Sequence, residues 1–333
     1  MRGLPAILFF ALLGSAASAQ SSAPLQGTIY VPSDDYPTPA AAANAISVRG
    51  VGSGGITVRI APNPAGYEGQ VRLYGRATGR SNRRIRFEKN PAMCGEVILR
   101  SSLSSVVVCD GADWCVFSGL KIEGENVSCF EFKNGARDNS ILNCRLTLTS
   151  TNGGSTAALT TSWSDHNLRV QGCVIRVSAE NPAGQCKGAF LGSSGTFLST
   201  LFYGQGPGAD DGLYCSGSRV TINHCTFYNW DYRACHINNG GGTVDNCTFL
   251  YLPAAGSGYS AWPILASHGT AGSTRWRHNT FSNHAGPGSW CFYVSPGYGN
   301  ANANSNTYWN PNGASLGFLG TNYIVADPNL VAP

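Results

Sequence analysis

The chain has few charged residues and, beyond its N-terminus, no long hydrophobic segment. Asp, Glu, Lys and Arg make up 12% of the 333 residues, and the formal net charge is +4. A net charge this small does not indicate a nucleic-acid-binding protein. No later segment is long and apolar enough to span a membrane as a helix. The composition therefore predicts neither nucleic-acid binding nor a helix that spans a membrane.

Zinc-binding and helical-repeat patterns are also missing. None of the 12 cysteines forms a Cys-x-x-Cys pair, which weakens a zinc or thioredoxin-type interpretation. No helical pattern separates the short β runs, which excludes a strand–helix–strand sheet, and the L-x-x-L-x-L phrase of leucine-rich repeats is absent. The 42 glycines favour many short strands joined by tight turns. The sequence thus predicts an all-β protein.

The N-terminus predicts export from the cell. Arg2 is followed by an apolar run from Leu4 to Leu13 and by the small residues Ala17 to Ala19. This order is that of a secretory signal peptide, and the apolar run is too short to span a membrane. We expect residues 1–19 to be removed and the mature protein to be secreted or held at the cell surface.

A six-residue phrase recurs along the chain from residue 117 onward. Its pattern is apolar, any residue, small or polar, Cys or similar, any residue, apolar. The copies occupy residues 117–122, 141–146, 170–175, 197–202, 222–227, 244–249, 276–281 and 303–308. A fixed phrase with spacers of variable length indicates one repeated structural unit whose insertions lie in loops.

The repeat predicts a solenoid whose strands stack in register on those of the next coil. Each coil would bury its apolar first and last positions only against its neighbours, so the ends need caps. Thr38 and Pro39 predict a short N-terminal cap helix. We expect a single monomeric domain over residues 20–333, with the cap helix at about 38–50, coils at about 56–310 and a C-terminal cap at about 311–333. His224 and His278 occupy the small or polar position and are interpreted as turn residues.

The cysteines follow the repeat. Cys144, Cys173, Cys225 and Cys247 share its fourth position, and a second apolar phrase contains Cys129, Cys215, Cys235 and Cys291. In-register strands lie about 4.8 Å apart, whereas a disulfide needs Cβ atoms about 3.8 Å apart. Columns of buried thiols are therefore favoured over a full set of disulfides, which stays the alternative.

The rungs 220–227 and 244–249 resemble those of the right-handed parallel β-helix superfamily, the fold of pectin and pectate lyases. The resemblance covers about residues 56–310, and the phrase Ala326-Asp327-Pro328 is similar to a common closing phrase. It implies an all-β, single-stranded right-handed parallel β-helix. It also implies a secreted, carbohydrate-active protein whose partner is an extracellular polysaccharide, bound in a groove on the outside of the helix.

Charged residues near the predicted strand ends are the candidate site. Asp211 and Asp231 each lie four residues before a cysteine, Cys215 and Cys235, which predicts equivalent, solvent-facing positions on adjacent coils about 5 Å apart. Lys187 begins the corresponding phrase one coil earlier. The remaining candidates, close in sequence, are Asp210, Arg233 and His236.

These residues predict lyase-type β-elimination of a uronate-containing polysaccharide. Lys187 or Arg233 would be the base that removes the proton next to the uronate carboxylate, and Asp210, Asp211 and Asp231 could hold Ca²⁺ through oxygen ligands. Residues 211–212 and 229–232 also resemble polygalacturonase-type hydrolases, which use paired carboxylates and carry Asp where this chain has Tyr232. The lyase is favoured of the two.

Non-catalytic interpretations stay open. The aspartates could instead form a polar turn ladder by accepting hydrogen bonds from turn amides. The whole solenoid could then be a rigid rod or glycan binder of a cell surface or matrix.

Overall fold

A computed structural model describes residues 23–75, 79–164, 167–217, 219–238, 241–252, 264–266, 274–284, 290–294, 301–311, 315–317 and 322–325. The predicted signal peptide and the closing phrase 326–328 lie outside these residues.

The described chain winds into a solenoid whose strands form three parallel sheets, and strands are numbered along the chain. The first sheet contains β1 (Leu25–Val31), β2 (Val51–Ile60), β5 (Ile85–Lys89), β8 (Cys115–Ser118), β11 (Ser140–Leu142), β14 (Leu168–Gln171), β17 (Gly195–Leu198), β20 (Val220–Asn223), β23 (Gly242–Asp245), β26 (Thr274–Arg277) and β29 (Ala301–Asn304). The second contains β4 (Val71–Tyr74), β7 (Val107–Asp110), β10 (Phe130–Lys133), β13 (Ala157–Thr161), β16 (Cys186–Leu191), β19 (Ala209–Cys215), β22 (Arg233–Ile237), β25 (Ile264–Ala266), β28 (Trp290–Val294) and β31 (Ser315–Gly317). The third contains β3 (Asn63–Glu68), β6 (Val97–Ser101), β9 (Lys121–Glu125), β12 (Arg145–Ser150), β15 (Val174–Ala179), β18 (Leu201–Gln205), β21 (Thr226–Tyr228), β24 (Thr248–Tyr251), β27 (Thr280–Asn283), β30 (Thr307–Trp309) and β32 (Ile324–Val325).

Successive coils are in register, so the predicted β-helix is confirmed. Val170 pairs with Ile141 and Phe197 in the first sheet, and Phe227 pairs with Phe202 and Phe249 in the third. These are the first and last positions of the repeated phrase. The phrase marks the corner where the chain leaves the first sheet and enters the third, which is why its length is constant while the other loops vary.

The third position of the phrase makes the corner turn. In all eight copies this residue has a positive φ, between 47° and 66°. The occupants are Gly119, Asn143, Gly172, Ser199, His224, Asn246, His278 and Ser305. Left-handed backbone favours Gly and tolerates Asn and His better than bulky residues. The prediction that His224 and His278 are turn residues is confirmed.

Stacked aromatic rings fill the interior of the later coils. The ring centroids of Phe202 and Phe227 are 4.5 Å apart, those of Phe227 and Phe249 4.9 Å, and those of Phe249 and Phe281 5.1 Å. Tyr308 continues the stack at 5.0 Å from Phe281. Each such pair adds about 0.5–1.5 kcal/mol beyond the burial of its area, so the column links the coils along the axis.

All twelve cysteines are free thiols, and all but Cys94 are buried. In the predicted column, the Cys144 amide lies 3.4 Å from the Cys173 sulfur on the next coil. The second predicted column is wrong. Cys235 pairs with Leu213 rather than with Cys215, whose partner is Ile237. A shift of two residues leaves side chains on the same face of a strand, so an apolar pattern cannot reveal it.

The cap helix α1 covers Pro39–Arg49, and its prediction is confirmed. Thr38 caps its start by accepting a hydrogen bond from the Ala41 amide at 3.1 Å, and Gly50 ends it with a φ of 75°. Strand β2 begins directly afterwards, and strands β1 and β3 were not predicted. No helix in the described part of the chain is long and apolar enough to cross a membrane.

Candidate functional site

Three charged side chains form a row across neighbouring strands of the second sheet. Asp211 of β19 pairs with Lys187 of β16 on one side and with Arg233 of β22 on the other. Lys187 thus lies one coil before Asp211, as predicted. The predicted equivalence of Asp211 and Asp231 is wrong, because the register places Arg233 opposite Asp211. The cause is the same shift of two residues that separates Cys215 from Cys235.

Asp211 is the centre of an ion-pair network. It accepts two hydrogen bonds from Arg233, from Nε to Oδ1 at 2.6 Å and from Nη2 to Oδ2 at 3.1 Å. Lys187 Nζ lies 3.2 Å from Asp210 Oδ2 and 3.9 Å from Asp211 Oδ2. Asp211 is 0% exposed, so the prediction that it faces solvent is wrong. Burial raises its pKa to about 6, against the opposing effect of the Arg233 guanidinium.

Asp231 lies just before β22 and is only partly buried. Its amide donates to the Ala209 carbonyl at 2.9 Å, and the Tyr232 amide donates to the Asp210 carbonyl at 3.1 Å, which fixes this segment against β19. Burial, and secondly the negative charge of Asp210, raise the pKa of Asp231 to about 6. Among the described residues no Lys, Arg or His forms an ion pair with it. It is therefore a carboxyl group that titrates near neutral pH.

An aromatic row lies next to the charged row. Tyr214 pairs with Phe190 and His236 on its two neighbouring strands. Its ring stacks on Phe190 at 5.4 Å and meets the His236 ring edge-on at 4.6 Å. The cationic groups of Lys187 and Arg233 each lie 6.0 Å from the Tyr214 ring. Tyr214 is therefore a site residue that sequence reasoning missed, because its only signal was its place in an apolar strand.

The predicted catalytic residue His236 belongs to this aromatic row and not to the carboxylate cluster. It is 6% exposed and packs against Tyr214. Tyr214 is held in turn by Asn238, whose Nδ2 donates to the Tyr214 hydroxyl at 2.9 Å. These contacts make His236 a packing partner of the site.

Glycines and a buried tryptophan support the charged row from inside. Trp230 is 2% exposed, and its Nε1 donates to the Phe202 carbonyl at 3.3 Å. A Cβ added at Gly188 would lie 3.1 Å from the Trp230 ring, and one at Gly212 would lie 2.3 Å from the Ala234 carbonyl oxygen. The residues that follow Lys187 and Asp211 must therefore lack a side chain if the strands are to pack this closely.

A cleft of about 430 Å³ extends from Lys187 towards the N-terminal end of the solenoid. Four consecutive coils contribute to its wall, just before and within β7, β10, β13 and β16. Its lining residues are Ser104, Ser105, Val127, Ser128, Ser155, Thr156, Ala157, Thr160, Lys187 and Phe190. Lys187 is the only charged residue among them. Sequence reasoning missed this cleft because its serines and threonines, most of them just before the strands, form no motif.

The comparisons with known proteins concern the fold. No protein-family model matches the chain, and no curated protein matches its sequence. Among solved structures it is similar to one named rhamnogalacturonan lyase, with a TM-score of 0.64 and 12% identity over 90% of this chain and 87% of that one. This likeness extends to the fold alone, a parallel β-solenoid. An alginate lyase from Paenibacillus sp. str. FPU-7 matches at 12% identity over 90% of this chain and 97% of that one, with a TM-score of 0.39.

Two of the three acidic candidates, Asp210 and Asp211, are engaged by cations of the chain itself. Both oxygens of Asp211 accept from Arg233, and Asp210 pairs with Lys187. The part of the chain that the structure describes has no group of three His, Cys, Asp or Glu residues placed to hold a metal ion. Ca²⁺ binding by Asp210, Asp211 and Asp231 stays a prediction, and these ion pairs weigh against it.

The site therefore combines three chemical capacities. Lys187 presents a positive charge at the end of a cleft lined by hydroxyl groups. Asp231 can exchange a proton near neutral pH. The buried Asp211–Arg233 pair gives the centre of the charged row a fixed orientation, because a bidentate carboxylate–guanidinium pair fixes orientation as well as distance.

Proposed function

We propose that the protein binds an acidic polysaccharide in the cleft beside Lys187 and cleaves it by lyase-type β-elimination outside the cell. The observation that carries this proposal is the position of Lys187, which belongs both to the cleft wall and to the ion-pair network that contains Asp210 and Asp211. The likeness to a structure named rhamnogalacturonan lyase fits the same class of activity.

The sequence suggested Lys187 or Arg233 as the base, but the geometry favours other roles for both residues. Arg233 is held in a bidentate pair with Asp211 and stays protonated, so it is a poor base. Lys187 Nζ donates to Asp210 Oδ2 at 3.2 Å and also belongs to the wall of the cleft. Lys187 is therefore better suited to bind the uronate carboxylate than to remove a proton.

Asp231 is the best candidate for the base. In its ionised form it would take the proton next to the uronate carboxylate, while the charge of Lys187 stabilises the resulting carbanion. The electron pair left behind forms a carbon–carbon double bond as the glycosidic carbon–oxygen bond breaks. The leaving oxygen then takes a proton from water, and the hydroxide so formed takes up the proton that Asp231 removed. One chain thus becomes an unsaturated uronate end and a new hydroxyl end.

Turnover of a panel of uronate polysaccharides tests this proposal. We expect ultraviolet absorbance from unsaturated products together with new reducing ends. Asp231→Asn should lower the rate by about 10²–10⁴-fold, the usual contribution of a positioned base. Lys187→Gln should mainly weaken substrate binding. The matched control is Arg169→Gln, on an exposed strand position of the first sheet, which should leave turnover unchanged.

A glycoside hydrolase is the second candidate, because Asp210 and Asp231 lie near each other and the pKa of Asp231 is raised to about 6. A raised carboxyl pKa beside an ionised carboxylate is the arrangement of a general acid and its partner. New reducing ends without ultraviolet absorbance would favour hydrolysis over elimination. Binding without either product would favour the non-catalytic glycan binder and contradict both enzymatic proposals.

A further inference from the structure

We propose that a second cleft, at the corner between the first and third sheets, binds a phosphate group, either as the free ion or carried on a sugar. This corner cleft has a volume of about 290 Å³ and shares no lining residue with the cleft beside Lys187. The inference is therefore independent of the proposed lyase activity. It is carried by the charged side chains that three successive coils bring to the corner cleft, which are Lys89, Glu96, Lys121 and Arg145.

The repeated phrase brings two of these cations side by side. Lys121 begins β9 and Arg145 begins β12, and the two residues pair directly across neighbouring strands. Like charges in opposite positions on adjacent strands repel each other. Lys89 ends β5 on the coil before, and a Cβ added at Gly119 would lie 3.8 Å from the Lys89 Cβ. Three cations from neighbouring coils thus line the same small cleft.

The partners within the wall leave positive charge unsatisfied. Glu96 is the one carboxylate among the residues that line the corner cleft, and its two oxygens lie 3.6 Å from Lys121 Nζ and 3.9 Å from Arg145 Nη1. Both distances are longer than a hydrogen bond, and the Glu96 and Arg145 side chains are 59% and 56% exposed. Lys89 takes part in none of the ion pairs between described residues.

Lys121 is also held from outside the corner cleft. Its Nζ lies 2.9 Å from Glu123 Oε1, and the other oxygen of Glu123 lies 3.4 Å from Arg100 Nη2. Arg100 in turn lies 3.6 Å from Glu68, whose side chain is 70% exposed. The wall of the corner cleft thus has three cations and one carboxylate, and the wider network has four cations and three carboxylates. Both counts leave a net positive charge.

A phosphate group suits this wall better than a carboxylate does. It carries a charge of about −1.5 to −2 and three strong acceptor oxygens, so it can accept from Lys89, Lys121 and Arg145 together. Its charge would also offset the repulsion between Lys121 and Arg145. The exposed Asn143 amide lines the same cleft and adds uncharged donors. The volume equals that of about ten water molecules, which leaves room for a sugar attached to the phosphate.

Calorimetric titration of the purified protein with inorganic phosphate, at constant ionic strength set with chloride, tests the inference. We expect one saturable site and a melting temperature that rises with phosphate concentration, because a ligand of the folded state stabilises it. Lys89→Gln and Arg145→Gln should each weaken binding at least about tenfold through loss of a charged hydrogen bond. The matched control is Arg169→Gln, an exposed arginine of the first sheet outside the corner cleft, which should leave the affinity unchanged.

Three further measurements sharpen the assignment. Glu96→Gln should tighten phosphate binding several-fold, since it removes the like charge from the wall. Tighter binding of a hexose phosphate than of inorganic phosphate, with the unphosphorylated hexose silent, would assign a sugar phosphate, whereas equal binding would assign the free ion, and either supports the site. Glucuronate bound as tightly as phosphate, no saturable phosphate binding, or equal affinities of Arg145→Gln and Arg169→Gln would overturn the inference. None of these readouts depends on polysaccharide turnover.

Discussion

Two halves of the region along the second sheet around Lys187 differ sharply: a charged half within strands β16, β19 and β22, and a hydroxyl half just before strands β7 and β10. The charged half contains Lys187, Asp211 and Arg233, and its central carboxylate is fully buried. The hydroxyl half contains Ser105, Ser128 and part of the cleft wall. The solenoid determines where these positions lie but not which side chain occupies them. Outward positions are therefore free to carry chemistry, while the interior positions of the same coils remain apolar.

The charged half and the hydroxyl half should also differ in how much they contribute to the stability of the fold. The charged half removes ionic groups from water, which costs free energy unless every partner is present. Burial dominates the pKa of Asp211 in spite of its pair with Arg233, which indicates that this cost is substantial. The hydroxyl half buries no charge. Substitutions in the two halves should thus have very different effects on folding.

The largest effect is expected for Asp211→Ala. Its removal leaves Arg233, whose side chain is 13% exposed, and Lys187 without their shared carboxylate. We expect the free energy of unfolding in urea to fall by about 3–5 kcal/mol. The double variant Asp211→Leu with Arg233→Met removes both charges and should recover most of this loss. A loss below about 1 kcal/mol in Asp211→Ala would show that the pair does not hold the charged half together.

A smaller effect is expected for Gly212→Ala, which tests the packing beneath the charged half. The added Cβ would lie 2.3 Å from the Ala234 carbonyl oxygen and 3.0 Å from both Phe227 and Trp230. We expect a loss of about 1–3 kcal/mol in thermal or urea unfolding. The control is Gly54→Ala in β2, where an added Cβ meets no atom within 4 Å. Equal stability of the two variants would contradict the close packing.

Asp231→Asn should stabilise the protein at pH values above about 6, with little effect near pH 4. The folded-state pKa of Asp231 is about 6, above the ordinary value of 3.8, so the folded form binds the proton more tightly. Its contribution to stability is complete below pH 3.8 and is lost as the pH rises through about 6. Because the group is partly exposed, we expect a gain of only about 1 kcal/mol at pH 8. Unfolding at pH 4, where the variant should match wild type, is the internal control.

The smallest effect on stability is expected for Ser128→Ala in the hydroxyl half. Its hydroxyl lies 3.4 Å from that of Thr160 in a partly exposed position, so unfolding should change by no more than about 0.5 kcal/mol. Loss of one hydrogen bond to a ligand is worth about 0.5–1.5 kcal/mol, which predicts a several-fold loss of glycan affinity. Unchanged affinity would place the glycan elsewhere on the surface.

Site residues could be predicted where a pattern within one strand phrase places them, and not where the pairing between strands decides their position. Lys187 was placed correctly relative to Asp211 because both begin their strand phrases. Asp231 was misplaced because a register shift of two residues preserves the alternation of buried and exposed positions. Tyr214 and the cleft had no sequence signal, since an outward tyrosine and scattered serines occur in any exposed strand or loop.

The architecture of this protein can be inferred from its amino-acid sequence. A repeated phrase with apolar ends, a turn residue at its third position and a capped helix near the N-terminus suffice to specify stacked coils, because each coil can bury its apolar face only against the next. Which charged residues contact one another depends on how the coils pair in three dimensions. The pairing of Asp211 with Arg233, the burial that raises the Asp211 pKa and the cleft that ends at Lys187 all depend on the register between coils and on loop lengths. The alternation of buried and exposed residues along a strand constrains neither the register between coils nor the lengths of the loops.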